Sequence, residues 1–245
     1  MIVAACCVPQ TPLLLPGLTG GPVAEVEELR TAALAAVKTV VGQTLVGGGA
    51  DEIVVVGGAP RTGSYPADAP TPAGRLAPAP GRRPAPGSLP VPLAVGRSLL
   101  AGHPVPLTLQ GVDEHASPRS CGELGHEIAA RPGRIGLVVV GDGSARRGEK
   151  APGYVDPRAL EADASIGDAL ASADLPALAA LDPGLCDDLL IRGRAVWQVM
   201  AAATESTSQT QGTSWTAHTL YGDAPFGVAY WSVTWLPHPP PHPLP

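Results

Sequence analysis

The sequence has no apolar run approaching the 18 or more residues that a membrane-spanning helix needs. It therefore gives no grounds for a membrane protein, and a cytoplasmic location is expected. Its four cysteines form no Cys-x-x-Cys pair and no dense disulfide pattern, so zinc-ribbon and dithiol redox chemistry have no support. Four reduced, mostly buried thiols are expected instead. Charge is also sparse. Charged residues make up 16 % of the chain, against about 25 % in an average soluble protein. The net charge is −6, and the basic complement, 14 Arg and 2 Lys, is scattered. That excludes the clustered basic footprint of a nucleic-acid binder. Several motifs are lacking too: the G-x-G-x-x-G dinucleotide fingerprint, the Walker loop, the G-x-S-x-G nucleophile elbow and H-E-x-x-H.

What is present is glycine and proline. The 245 residues include 30 Gly and 29 Pro, concentrated in a few stretches. Residues 59–90 hold nine prolines and little apolar periodicity, and they read as a loop insertion that includes Arg82-Arg83 as solvated charge. Residues 237–245, PHPPPHPLP, read as a disordered, solvated polyproline tail whose His238 and His242 form no designed metal site. The rest, 1–236, is long enough for one domain with a substantial core.

The N-terminal residues IVAACCV read as a buried strand rather than a leader, because only five residues precede Cys6 of the box-like Val3-Ala4-Ala5-Cys6. Residues 22–41 have helical spacing, with Pro22 and acids at the start. Residues 52–57 and 135–140, EIVVVG and IGLVVV, read as strands buried on both faces. Helices are expected at 92–101, from Ser117-Pro118 to about Ala130, at 157–172, 183–191 and 194–204. Residues 105–110 read as a strand at a sheet edge, since Pro106 cannot donate to a central ladder. Strand character returns at 214–220 and 226–235. There, Trp231, Val233 and Trp235 share one face, and Phe226, Val228 and Tyr230 the other. Trp197 is expected to anchor its helix against the sheet. This order predicts an α/β fold: a largely parallel central sheet, helices on both faces and a C-terminal antiparallel strand pair.

In open α/β sheets, ligands bind beyond the carboxyl ends of the strands. Three polar loops qualify: Pro9-Gln10-Thr11-Pro12, Gly57-Gly58-Ala59-Pro60 and the segment from Gly141 to Asp156. The last carries Asp142, Ser144, Glu149, Lys150 and Tyr154, the densest cluster of reactive side chains in the chain. Gln10, Asp142, Ser144, Lys150 and Tyr154 are the candidate contacts for a small molecule. Asp113-Glu114-His115 reads as a solvated turn, and Glu123-x-x-His126 as an exposed helix face.

Four stretches together resemble a known family: AACCVPQTPLLLPGL, VVVGDGSARRGEKAPGYVDPRALEADASI, LDPGLCDDLLIRGRAVWQVMAAA and LYGDAPFGVAYWSVTW. They are similar to actinobacterial members of the B-type class III extradiol ring-cleavage dioxygenase superfamily, which also includes Memo-like proteins. The resemblance covers residues 1–236 apart from the Pro-rich loop. It implies an α/β sandwich. In active relatives it also implies Fe(II) held by two histidines and a carboxylate, with positions left for a catecholic substrate and O₂. Where such relatives carry a ligand histidine after the first strand, this chain has Gln10. The loop after the second strand, 57–90, has no histidine, and Ala145 follows the Gly141-Asp142-Gly143-Ser144 turn where a further histidine is expected. The resemblance thus implies the family frame without its metal chemistry, no Fe(II) cofactor, and a small-molecule ligand or partner in the equivalent pocket. Two alternatives stand beside it. One is a metal-dependent oxidoreductase with a site remodelled around His103, His115, His126 or His218. The other is an interaction protein that works through its Pro-rich segments. Homo-oligomerisation is left open.

Overall fold

The computed structural model describes residues 1–18, 21–45, 50–72 and 87–238. Seven strands form one sheet: β1 (Ile2–Val8), β2 (Glu52–Ala59), β3 (Gly63–Tyr65), β4 (Leu107–Asp113), β5 (Ile135–Val140), β6 (Ser214–Asp223) and β7 (Tyr230–His238). Their order across the sheet is β3-β4-β2-β5-β1-β7-β6. The central four, β4-β2-β5-β1, are parallel, while β3 and the β6–β7 hairpin pair antiparallel at the two sides. The sheet is therefore mostly parallel, as expected, with an additional antiparallel strand on the far edge.

The middle strands are apolar along their length because both faces are covered. Every residue of β1 and β5 is buried. Helices α1 (Ala24–Leu45) and α2 (Val91–Leu99) cover one face, through Leu29, Ala33, Val37 and Leu93 packed on Ala4, Cys6, Val55 and Val138. On the other face lie α3 (Pro118–Ala129), α4 (Arg158–Ser172), α5 (Leu175–Ala179), α6 (Pro183–Asp188) and α7 (Arg194–Gln211). Alternation sends the adjacent Cys6 and Cys7 into opposite cores, and all four cysteines are free and buried. It likewise sends Trp231, Val233 and Trp235 to one core and Val228 and Tyr230 to the other. Trp197 is fully buried and donates its indole N–H to Cys7 Sγ at 3.0 Å. Among the described residues, no helix is long and apolar enough to cross a membrane.

The structure revises several boundaries. β4 starts after Pro106, so the proline costs the ladder nothing, and its carbonyl accepts from Ile53 N at 2.8 Å. The strand is not the edge: three residues of the Pro/Gly segment, Gly63–Tyr65, pair with it from outside. Gly111 makes this possible, because a β-carbon there would collide with the Tyr65 ring. Part of the 59–90 segment is thus ordered. Arg97 ties it down by donating to the carbonyls of Ala67 and Ala69 and to the Thr71 hydroxyl. Its residues 73–86, with Arg82-Arg83, lie outside the described residues. Helix α7 runs seven residues past its expected end, and there Thr204, Thr207, Ser208 and Thr210 place their hydroxyls on carbonyls one turn earlier. β7 continues through Pro237 and His238, paired with Trp215 and Ser214. The remainder of the expected tail, 239–245, including His242, lies outside the described residues.

Candidate functional site

The register of the parallel strands decides where their loops meet. Val8 and Gly57 both stand beside Val140, and Ala59 stands beside Asp113, so four strands end at one rim of the sheet. The chain leaves that rim at Pro9, Pro60, Glu114 and Gly141. The residues beside these exits, with Pro90, Val91 and Pro92 at the start of α2, line an open cavity of about 620 Å³. Its walls are largely apolar, from Pro12, Ala59, Pro60, Pro90, Val91 and Pro92. Its polar groups are Gln10, Asp113, Glu114, His115 and Asp142.

Asp142 is held in a turn that backbone contacts fix from three directions. Gly141 N donates to Val8 O, Gly143 N to Ala229 O, and Gly193 N to Asp142 O, at 3.0, 2.8 and 2.8 Å. The turn needs its glycines. A β-carbon on Gly141 would lie 2.6 Å from Gly193 Cα, and one on Gly143 would lie 2.5 Å from the Trp231 ring. Asp142 is only 8 % exposed, and its Oδ1 accepts from Gln10 N at 2.8 Å. Among the described residues, no protein donor reaches Oδ2. Burial pushes the carboxyl up to about 7, against which the single Gln10 amide pulls only weakly. Gln10 contributes a second unmet group, since its Oε1 is buried without a hydrogen-bond partner.

The other wall is a turn that its polar sequence marks as solvated. Asp113 ends β4, Glu114 and His115 follow it directly, and Asp113 Oδ1 accepts from His115 N at 2.9 Å. Glu114 lies over Gly58, where a β-carbon would stand 3.1 Å from its Oε1, and its Oε2 accepts from Arg192 Nη1 at 3.1 Å. His115 Nδ1 lies 3.4 Å from Asp187 Oδ2, with both side chains largely exposed. A buried guanidinium pins the turn from beneath. Arg194 is 2 % exposed and donates to the carbonyls of Glu114 and Ala116 and to Gln198 Oε1, at 2.6, 2.7 and 3.0 Å. The strand-end rule that selects the other loops selects this one too once β4 is followed to Asp113 instead of being ended at residue 110.

Of the five candidate contacts, the structure brings Gln10 and Asp142 together on the cavity wall and leaves the other three off it. Ser144 is fully buried and engaged elsewhere: its N and Oγ donate to Asp163 Oδ1 and Oδ2 at 2.8 and 2.5 Å. Arg147 completes that cluster with a 3.1 Å contact to Asp163. Lys150 is exposed, and Tyr154 is 90 % exposed. The chain turns outward after Ser144 and closes on itself through Gly153 N to Ala145 O and Asp156 N to Arg146 O. This surface loop packs against Gly227 at the hairpin turn rather than over the cavity.

The donor set does not fit the two-histidine, one-carboxylate Fe(II) site that the family resemblance implies in active relatives. The cavity wall has one imidazole among the described residues, His115, which faces Asp187, while Glu114 is paired with Arg192. Among the described residues, no three His, Cys, Asp or Glu side chains converge as metal ligands. His103, His126 and His218 are exposed on separate elements and do not line the cavity. Glu123, one turn before His126, is paired with Arg119 at 2.8 Å on the surface.

No family model matches the chain, and no curated protein matches it in sequence. Among solved structures, it is similar to an uncharacterised protein of Escherichia coli K12, JW3007, at 15 % identity and a TM-score of 0.53. The likeness covers 95 % of this chain and 99 % of that one. At that identity the two chains share a mixed α/β fold, with a mostly parallel sheet and helices.

Proposed function

We propose that this protein is class III extradiol dioxygenase-like and binds a small molecule in the strand-end cavity without the Fe(II) site. One observation carries the reading: a carboxylate more than nine-tenths buried, Asp142, has one oxygen without a protein donor on the wall of a cavity of about 620 Å³. Burying such a group without a partner destabilises the fold, and a bound ligand that donates to it offsets the loss. The location supports the same reading, because crevices beyond parallel strand ends are where α/β folds bind ligands. Four family-like stretches support the frame, while Gln10 and Ala145 stand where active relatives carry histidine.

The test is a fragment screen read by backbone-amide NMR on the full chain. Hits are expected to perturb the amides of Gln10, Gly58, His115 and Asp142 together. Plasma mass spectrometry on anaerobically purified protein is expected to find no stoichiometric iron. Stoichiometric iron combined with ring opening of a catechol would overturn the metal-free reading. A screen in which no fragment perturbs the rim would overturn ligand binding.

A further inference from the structure

We infer that the cavity selects a cationic amine carried on an apolar body, its nitrogen seated at Asp142. The inference rests on the reading that the cavity binds a small molecule, and it specifies which chemistry is taken.

Asp142 lines the cavity, and its Oδ2 has no protein donor among the described residues. On the opposite wall, Asp113 uses one oxygen for His115 N and Glu114 uses one for Arg192, leaving the other oxygen of each without a protein donor among the described residues. No lysine or arginine side chain among the described residues lines the cavity. The polar part of the wall is therefore rich in acceptors and negative in sign.

An anionic ligand would meet these carboxylates with no lysine or arginine of the described residues lining the cavity to balance it. A neutral hydroxyl brings one donor. A protonated primary amine brings three, and its charge strengthens each bond to a carboxylate. The remaining wall, built from proline, valine and alanine, matches an apolar body and provides nothing to hold a second charge.

Calorimetric titration of the full-length chain at about pH 8 tests this with three probes of one shape: 2-phenylethylamine, 2-phenylethanol and 3-phenylpropionate. An alkylamine is protonated there and the carboxylate is ionised. The amine is expected to bind about tenfold or more tightly than either of the others, the scale of one charge-assisted contact. Asp142→Asn keeps an oxygen for the Gln10 amide and removes the charge. It is expected to weaken amine binding about tenfold while leaving the alcohol unchanged. The wild-type ranking alone decides the matter should the variant fail to fold. Alcohol or carboxylate binding as tightly as the amine would overturn this inference and leave small-molecule binding standing. Fragment hits at the rim without any amine among them would do the same. A rim that takes up nothing would end both readings.

Discussion

Asp142 pulls against its own ionisation. Its carboxyl is pushed from 3.8 to about 7 by burial, and Tyr230 nearby is pushed up to about 12 by burial and by the Asp142 charge. In the unfolded chain the acid has lost its proton above about pH 4, while the folded chain keeps it up to about 7. Between those values the native state binds more protons, so its stability falls as pH rises through that window and levels off above it. Asp142→Asn removes this slope while keeping the bond from Gln10 N. Wild type should therefore lose more stability than the variant between about pH 5 and pH 8, by on the order of 2–4 kcal/mol. Urea unfolding of both proteins at the two pH values measures it, and taking the difference between them cancels the titrations that the substitution does not touch. Equal slopes would mean that Asp142 ionises freely in the fold. At this scale the sequence was half legible. Gln10 and Asp142 could be found because each directly follows a strand whose apolar pattern marks its end. Lys150 and Tyr154 could not be placed, because a dense cluster of reactive side chains does not reveal which way a loop turns. Asp163, which holds Ser144, sits 19 residues further on in a helix, with no pattern to link the two.

Among the elements, the contact between α3 and α7 is unusually close because Gly125 has no side chain. A β-carbon there would lie 2.5 Å from Val199 O and 2.7 Å from Ala202 Cβ. Gly122, one turn earlier on the same helix, has open space around it. The two glycines should respond oppositely to the same substitution. Gly125→Ala is expected to destabilise by about 1–3 kcal/mol through overpacking. Gly122→Ala is expected to stabilise by roughly 0.5–1 kcal/mol, since helical glycine costs backbone entropy. Thermal melts of the two variants distinguish them, and parallel shifts would contradict the close crossing. Strands buried on both faces were the most legible elements, because Ile2–Val8 and Ile135–Val140 have no polar residue to blur their ends. β3 was hidden because three residues of Gly-Ser-Tyr inside a proline-rich stretch carry no periodicity, and only the partner strand makes them β. The second half of α7 was hidden because serine and threonine normally favour turns; here their hydroxyls bond back along the helix.

For the molecule as a whole, the sheet is a single spine shared by two cores. β7 closes it by pairing with β1 on one side and β6 on the other. Trp235 is 1 % exposed and ties this strand to α4 by donating to Leu170 O at 2.8 Å. Ending the chain after His238 removes seven residues, five of them proline, and is expected to move the melting midpoint by no more than about 2 °C. Ending it after Asp223 removes β7 with Trp231, Val233 and Trp235, and is expected to abolish cooperative unfolding altogether. Calorimetric scans of both truncations test this, and a cooperative transition in the shorter chain would show that the hairpin is an accessory. The alternation of strands and helices made the fold class legible, whereas the cavity depended on register, which the sequence does not display.

The pairing of β1 has a temporal side. Ile2 pairs with Ile135, and Ala5 pairs with Trp235, so β1 finds its two neighbours 133 and 230 residues later in the chain. At roughly 5–20 residues per second, the ribosome takes about 7–27 s to deliver the first of them. For that interval IVAACCV is an apolar segment without the strands that cover it in the fold, the kind of segment that aggregates when left exposed. The arrangement that buries this strand most completely in the finished protein leaves it longest without a partner on the nascent chain, so newly made β1 needs shelter until β5 and then β7 arrive to flank it.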